Sequence, residues 1–557
     1  MHRWRLTGAA LAIAALAACS TSTPAVNANA PGPDDDKEAG ADGPDATANG
    51  PGPVMVNCGN GSIDAKEACD DGNAEKGDGC DAACNVEPGY RCPDTGGACR
   101  ATRCGDAIVA GDEECEDLNS ATGDGCDKCL LEDGFACDNT QSPSTCRKTV
   151  CNDGKREGSE PCDDGNSIIG DGCSPFCVVE PQCVQGMCSS TCGDGLKLAS
   201  DKAEECDDGN TKSGDGCSDK CKVEKAYRCT DVVSELPESF ELPTTFRDFI
   251  RAGKNGGERH PDFQAFEGND ASEGLVGATL GADGKPTYTG ICQAGNAPGP
   301  CPHGNQTTSA ANFAQWYSDL TTRFTIPVVG EVEGIRNPAT GTTFTGTMIK
   351  FVQTITMNRV PGSDDYRNAT FGSQLFPLDG RGWVQAELEN NSNNHNFNYT
   401  SEIRQWFEFK GGESLTFSGD DDVWVFIGGK LALDLGGLHP RRARRIVLEA
   451  ATGDATCFRP TPNADSYDNI TAPCATPTRP LGLKQGNVYE VALFHAERRT
   501  DQSNFDLTLA GFVSARSECV STCGDGVVQE EEGETCDDGN RDNDDDCDRN
   551  CQSFLIQ

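Results

Sequence analysis

Large apolar side chains are distributed unevenly along this chain. They crowd into residues 8–18, almost vanish from 20 to 56, stay sparse from 58 to 229, and return in regular patterns from about 231 to 516. In that last region "TFTGTMIKFVQTITMNR", "RQWFEFKGGESLTFSG", "ARRIVLEA", "NVYEVALFHAERR" and "NFDLTLAGF" are rich in β-branched and aromatic residues, with Gly- and Asp-rich breaks between them. That pattern predicts strands. "VWVFI" (423–427) is apolar throughout, which predicts a strand buried on both faces. Gly428-Gly429 then leads into "KLALDL", and two glycines between strands predict a primed hairpin turn, whose central residues need positive φ. One short segment, "AANFAQWYSDL", reads as helical. Many strands and little helix predict an all-β domain over residues 231–518, a sandwich or a barrel.

The sparse regions repeat themselves. "CDDGNAEKGDGC" recurs as "CEDLNSATGDGC", "CDDGNSIIGDGC", "CDDGNTKSGDGC" and "CDDGNRDNDDDC", the second cysteine always eleven positions after the first. Each unit also has an opening cysteine (Cys58, Cys104, Cys151, Cys192, Cys523) and a closing one (Cys84, Cys129, Cys177, Cys221, Cys551). These divide the chain into repeats at 57–103, 104–150, 151–191, 192–230 and 519–557. Units of about 40 residues with so few aliphatic side chains cannot be held by a hydrophobic core. The expectation is small, disulfide-rich, loop-dominated modules, each bridge contributing about 2–4 kcal/mol.

Composition narrows the function classes. The 557 residues include 33 cysteines and carry a formal net charge of −43. That many cysteines belong in an oxidising compartment. The charge argues against nucleic acid, whose phosphates need cationic partners, and favours a solvated surface or bound cations. Gly-x-Ser-x-Gly, His-Glu-x-x-His and Gly-x-x-x-x-Gly-Lys-Ser/Thr are all absent, and the six histidines are scattered. No enzyme is expected.

The acids of the repeats invite a cation. Hard oxygen ligands at alternating positions in Gly-rich loops are what Ca²⁺ takes, six to eight at a time. The expected sets are Asp71, Asn73 and Asp78; Asp164, Asn166 and Asp171; Asp208, Asn210 and Asp215; and Asp538, Asn540 and Asp545. Aspartate and asparagine are also turn formers whose side chains satisfy local backbone donors, the competing use of the same residues. Zinc would call for paired knuckles with histidine, and the repeats contain none.

The N-terminus has two early arginines, a short apolar run and then Leu16-Ala17-Ala18-Cys19, the form of a secretory signal. Its end resembles the lipobox of bacterial lipoproteins, which implies cleavage after residue 18 and acylation of Cys19. Ser20 follows, and by the same resemblance that implies the outer membrane. Residues 20–56 are Pro, Ala, Gly and Asp, a disordered linker that reaches about 100 Å when partly extended at ~3 Å per residue.

Two further resemblances are specific. The repeats resemble Cys-rich modules abundant in myxobacterial surface proteins. "FSGDDDVWVFIGGKLALDLGGLHP", with "FRDFIRAGKNGGERHPDF", "LFPLDGRGW", "HNFNYTSEI" and "YEVALFHAERRTDQSNFDL", is similar to the fibro-slime domain, related to the β-sandwich of anthrax protective antigen. Gly428 departs from it, standing where that family usually has asparagine. Flocculin-type adhesins of the wider sandwich family bind sugars through Ca²⁺ on two adjacent aspartates joined by a cis peptide. That resemblance implies Asp420 and Asp421 as metal ligands, with Asp422 secondary, and Asn390, Asn391, Asn393 or Asn394 as a source of an amide ligand. Asp434 and His439 are expected to be structural.

The reading that follows is a lipid-anchored cell-surface adhesin or matrix protein, calcium-dependent, binding glycan or matrix through the sandwich. The alternative is a scaffold or stalk with no small ligand. Cysteine counting adds one expectation: the fourth repeat has Cys229 but no local sixth cysteine, while Cys519 stands four before the fifth repeat's first. The sandwich is therefore expected to be inserted inside the fourth repeat, clamped by Cys229–Cys519, with Cys292–Cys301 and Cys457–Cys474 inside it.

Overall fold

The computed structural model describes residues 58–551 with interruptions. Residues 1–57 and 552–557 lie outside the described residues, as do internal stretches including 75–78, 102–104, 232–235, 250–259, 265–270, 300–306, 326–342, 380–394, 462–468 and 542–546. Cys19, Asp78, Cys301, Asp545 and Asn390–Asn394 are therefore outside them.

The large domain is a sandwich made by one long antiparallel ladder that folds over itself. Its front leaf orders Val276–Leu280, Lys430–Leu435, Asp422–Ile427, Val488–Glu497, Tyr399–Glu408, Ser239–Phe249 and Met348–Arg359. Asp365–Arg367 carries the ladder round to Phe505–Ala510, Ser414–Gly419, Arg442–Leu448, Ala455–Pro460 and Ile470–Arg479. Strand alternation sends the apolar side chains of residues 423–427 into two different cores. Val423, Val425 and Ile427 meet Leu415, Ile446 and Leu507 between the leaves. Trp424 and Phe426 face the other way, into a second core with Phe313, Trp316 and Phe494. Each such side chain contributes roughly 1.5–3 kcal/mol by leaving water. Gly428 and Gly429 form the hairpin turn at φ 57° and 72°, where a side chain is strained. The helical segment is shorter than its pattern predicts: Ala310–Phe313 is one turn capped by Ser309, because the aromatic residues after it are drawn into the second core.

Where their cysteines are described, the repeats follow one disulfide scheme, first to fourth and second to third, with a fifth-to-sixth bridge in those that have six. In the first repeat these are Cys58–Cys84, Cys69–Cys80 and Cys92–Cys99; the third repeats the scheme with Cys151–Cys177, Cys162–Cys173 and Cys183–Cys188. In the fourth, Cys192–Cys221 and Cys206–Cys217 are joined by Cys229–Cys519, whose Cα atoms are 4.0 Å apart. Cys519 occupies the position of a sixth cysteine. It packs on Gly216 as Cys99 packs on Gly79 and Cys146 on Gly125, so close that none of these glycines could carry a Cβ. The Ser517 amide donates to the Asp207 carbonyl at 2.7 Å, as Gly97 does to Asp70 at 2.7 Å. The chain thus re-enters the fourth repeat at Ser517, and the sandwich lies between two strands of that repeat, Tyr227–Asp231 and Ser517–Ser521. Cys457–Cys474 closes a bridge inside the sandwich, and Cys292 sits in a strand of its own, Cys292–Ala294.

The third repeat docks on the sandwich by sheet extension. Its hairpin strand Met187–Ser189 pairs with Val488 and Tyr489, on the part of that strand left open when the neighbouring strand turns away at Gly428. A Cβ on Gly186 would lie 2.1 Å from the Gly428 carbonyl carbon, so only glycine fits there. Ile169, Leu196, Trp406 and Val488 form a small core at the junction.

Candidate metal centre

Asp420 and Asp421 occupy the two-residue crossover between leaves, after Ser414–Gly419 and before Asp422–Ile427. Their peptide bond is cis. The ends of two other strands close over this crossover, because Asp422 pairs with Ala496 and Gly419 with Phe505. That register delivers Glu497, Arg498 and Asn504 to the same place.

All three aspartates are buried, at 4%, 5% and 0% exposure, but their partners differ. Asp420 accepts from the Asn504 amide at 2.5 Å and its Nδ2 at 2.9 Å. Asp421 accepts from the Arg498 amide at 3.0 Å. Asp422 is bound on both sides: Arg498 Nε at 2.7 Å and Nη2 at 2.6 Å, and the Gly437 amide at 2.5 Å. The Arg498 guanidinium also lies 4.4 Å over Trp316. Asp422 is thus structural.

Glu497 is the residue the sequence reading missed. It is fully buried, its Oε1 accepts a long 3.4 Å bond from the Arg499 amide, its Oε2 lacks a close partner, and the Ser503 hydroxyl nearby offsets its charge only slightly. Burial, reinforced by repulsion from Asp421 and Asp420, pushes the Glu497 carboxyl well above the ordinary range. Burial does the same to Asp421, where Asp422 and Asp420 repel and Arg498 only partly compensates. Asp420 is also raised by burial, against its Asn504 bonds. Three desolvated carboxylates with an orphaned oxygen need a proton or a cation. Each bonded carboxylate oxygen keeps a second lone pair, so Asp420, Asp421 and Glu497 together fit a hard divalent ion as an all-oxygen set.

Asp434 accepts from Trp424 Nε1 at 3.1 Å and the Gly274 amide at 2.9 Å, and His439 contacts the Leu435 and Pro440 carbonyls. Both brace the sheet. A cavity of about 1030 Å³ between the third repeat and the front leaf is lined by charges that neutralise one another. Burial alone would raise Glu402 there, but Lys285 at 2.6 Å, Arg404 at 3.0 Å and Arg247 at 3.1 Å hold it below the ordinary range.

In the repeats, most acids are committed to backbone. Asp70 accepts the amides of Gly59, Asn60, Gly61 and Gly72; Asp207 and Asp537 do the same in their units. A second cage is made by Glu132, Glu180 and Glu224, which accept from the Gly-Asp-Gly amides. The signal for these was a glutamate after two aliphatic or Lys-Val residues at fixed spacing, in "LLE", "VVE" and "KVE". The expected calcium residues come together in part. Asn166 Nδ2 donates to Asp171 at 3.0 Å and Asn210 Nδ2 to Asp215 at 3.1 Å, while their Oδ1 atoms accept from Ile168 and Lys212 amides. The asparagines therefore serve as clips. Burial, then repulsion from the partner aspartate, raises Asp215 beside Asp208; burial likewise raises Asp171, with Asp164 adding to it. Asp71 and Asp538 accept from the Asn73 and Asn540 amides at 3.2 Å each. The groups that crowd closest, such as Glu67 with Asp70 and Glu204 with Asp207, lie beside Cys84 and Cys221, whose disulfide sulfurs offer no thiolate.

Residues 83–130, 179–222 and 511–552 match a domain of unknown function, DUF4215. Among curated proteins the chain is similar to three from Dictyostelium discoideum. Protein psiR is 28% identical over 49% of this chain and 22% of its own length. Protein psiD is 28% identical over 46% and 39%, and protein psiC 29% identical over 45% and 38%. The chain thus spans between about a fifth and two-fifths of these relatives. Together the repeats and their bridges make this a disulfide-rich repeat protein of extracellular type.

Proposed function

We propose that this protein is a calcium-dependent surface adhesin or matrix protein. Its repeats form a disulfide-stiffened stalk, and its sandwich binds glycan through an ion held by Asp420, Asp421 and Glu497. The observation that carries the reading is the unpartnered, buried Glu497 oxygen beside two desolvated aspartates. A divalent ion there would relieve the mutual repulsion and leave coordination positions for sugar hydroxyls. The resemblance of the sandwich to the fibro-slime domain supports the same site. Lipid on Cys19 and residence in the outer membrane complete the proposal, with the linker over 20–56 holding the stalk away from the bilayer.

The scaffold reading keeps some support from the repeats, where Asp70, Asp207, Glu180 and Glu224 spend their charge on the protein's own amides. A glycan array probed with calcium and then with chelator separates the two. Binding to a defined set of neutral glycans that disappears in chelator is expected; no glycan bound in either condition would leave only the scaffold.

A further inference from the structure

Near the acidic crossover, this strongly acidic protein concentrates arginine. Arg441, Arg442, Arg444 and Arg445 fall within five positions, at and just before the strand Arg442–Leu448. Arg441 is engaged by Asp506 and donates from Nε to Ser418 Oγ at 2.9 Å. Arg444 and Arg459 are not so engaged. Arg444 donates from Nη1 to the carbonyl of its neighbour Ala443 at 2.9 Å, and Arg459 from Nε to the Pro473 carbonyl at 3.1 Å. Among the described residues, neither forms an ion pair with a carboxylate.

The register makes this arrangement costly. The last pair of this ladder is Arg445 with Phe458, and Arg444 and Arg459 follow just beyond it on the two strands, close enough to repel. Burial lowers the proton affinity of Arg444; Glu273 offsets part of that, while Arg442 and Arg459 repel it further. A half-buried guanidinium set against two others, with no carboxylate in contact among the described residues, is the counterpart of the crowded acids nearby. Arg444 also pairs with Phe417, three residues before Asp420, which is about 10 Å of strand.

We propose that Arg444 and Arg459, with Arg442 beside them, bind the oxyanions of an acidic polysaccharide. Guanidinium groups present planar, forked donors that match carboxylate and sulfate oxygens. The net charge of −43 opposes every polyanion at long range, so the attraction has to come from local contacts. A polysaccharide chain offers both oxyanions for the arginines and hydroxyls for an ion about 10 Å away along the strand. The inference takes glycan binding by the sandwich as its premise, but the arginine contacts need no cation.

The test uses the purified full-length chain with polygalacturonate, heparin and neutral dextran, each with calcium or with chelator. We expect polygalacturonate or heparin to bind, weakening with added salt and persisting in chelator; which of the two binds separates carboxylate from sulfate. The double variant Arg444→Gln/Arg459→Gln should lose at least about tenfold in affinity, as losing charge-assisted hydrogen bonds implies, with Tm unchanged or raised. Equal affinity in the variant overturns the proposal, as does dextran binding equally well or arginine-dependent binding to phosphatidylglycerol vesicles instead. A fall in Tm alongside lost binding would make the arginines structural. If calcium has no effect but arginine-dependent binding remains, the metal reading fails and this one stands.

Discussion

Asp420, Asp421 and Asp422 are three identical side chains in a row, and the fold gives them two different tasks. Asp422 is neutralised by Arg498 with both side chains fully buried. Asp422→Asn should therefore cost about 3–5 kcal/mol in unfolding experiments, because it strands a buried guanidinium. Asp421→Asn should leave the domain folded while abolishing ion binding, since it removes a charge that its neighbours repel. The sign of the pH effect is set by the same geometry. Asp421 and Glu497 have raised folded-state values, so without an ion the folded state binds more protons than the unfolded one. Their contribution is present at low pH and lost as pH rises through the folded values, and a bound cation removes that loss. The aspartates were legible because a run of acids before an apolar strand has to be explained. Glu497 was not: it lies 76 residues beyond Asp421 in "HAERR", where a glutamate after an alternating strand reads as its solvent-facing end.

At the scale of elements, period and turn chemistry were enough to place the front leaf. "VWVFI" is buried on both faces because a second core of Phe313, Trp316 and Phe494 covers its outer side. The repeats were harder to read, since turn formation and metal binding ask for the same side chains. The structure divides them: in the third and fourth repeats one aspartate and one glutamate hold amide cages, and the remaining aspartates pair off around an asparagine clip. The third repeat's docking hairpin could not be read at all, because "PQCVQGMC" carries neither an apolar stripe nor a marked turn. Its supporting Glu180 is pushed up to about 7 by burial, despite bonds from the Gly170 and Gly172 amides. A raised value means that its stabilising effect is full below about pH 4.3 and fades as pH rises through 7. Hydrogen exchange of residues 182–189 should therefore quicken between pH 5 and 7 beyond the intrinsic rate. The underlying slope should be at most about 1.4 kcal/mol per unit, and Glu180→Gln should remove it. An unchanged slope in that variant would place the titrating group elsewhere.

At the largest scale, residues 58–551 are stapled repeats with a sandwich inserted in the fourth and braced by the third. Counting cysteines pointed to the insertion, because a missing sixth partner and a surplus cysteine beyond the sandwich are visible without coordinates. The brace was invisible because it depends on backbone pairing with Val488 and Tyr489 and on contact between Gly186 and Gly428. The Cys229–Cys519 bridge and the paired strand Met187–Ser189 tie the sandwich to the fourth and third repeats. The most direct test of this account is calcium content, measured by elemental analysis on the purified protein and on its Asp421→Asn and Glu497→Gln variants. The account predicts that each variant, still folded, carries one calcium fewer per chain than the parent. Parent and variants with the same calcium content, or none in any of them, would contradict it.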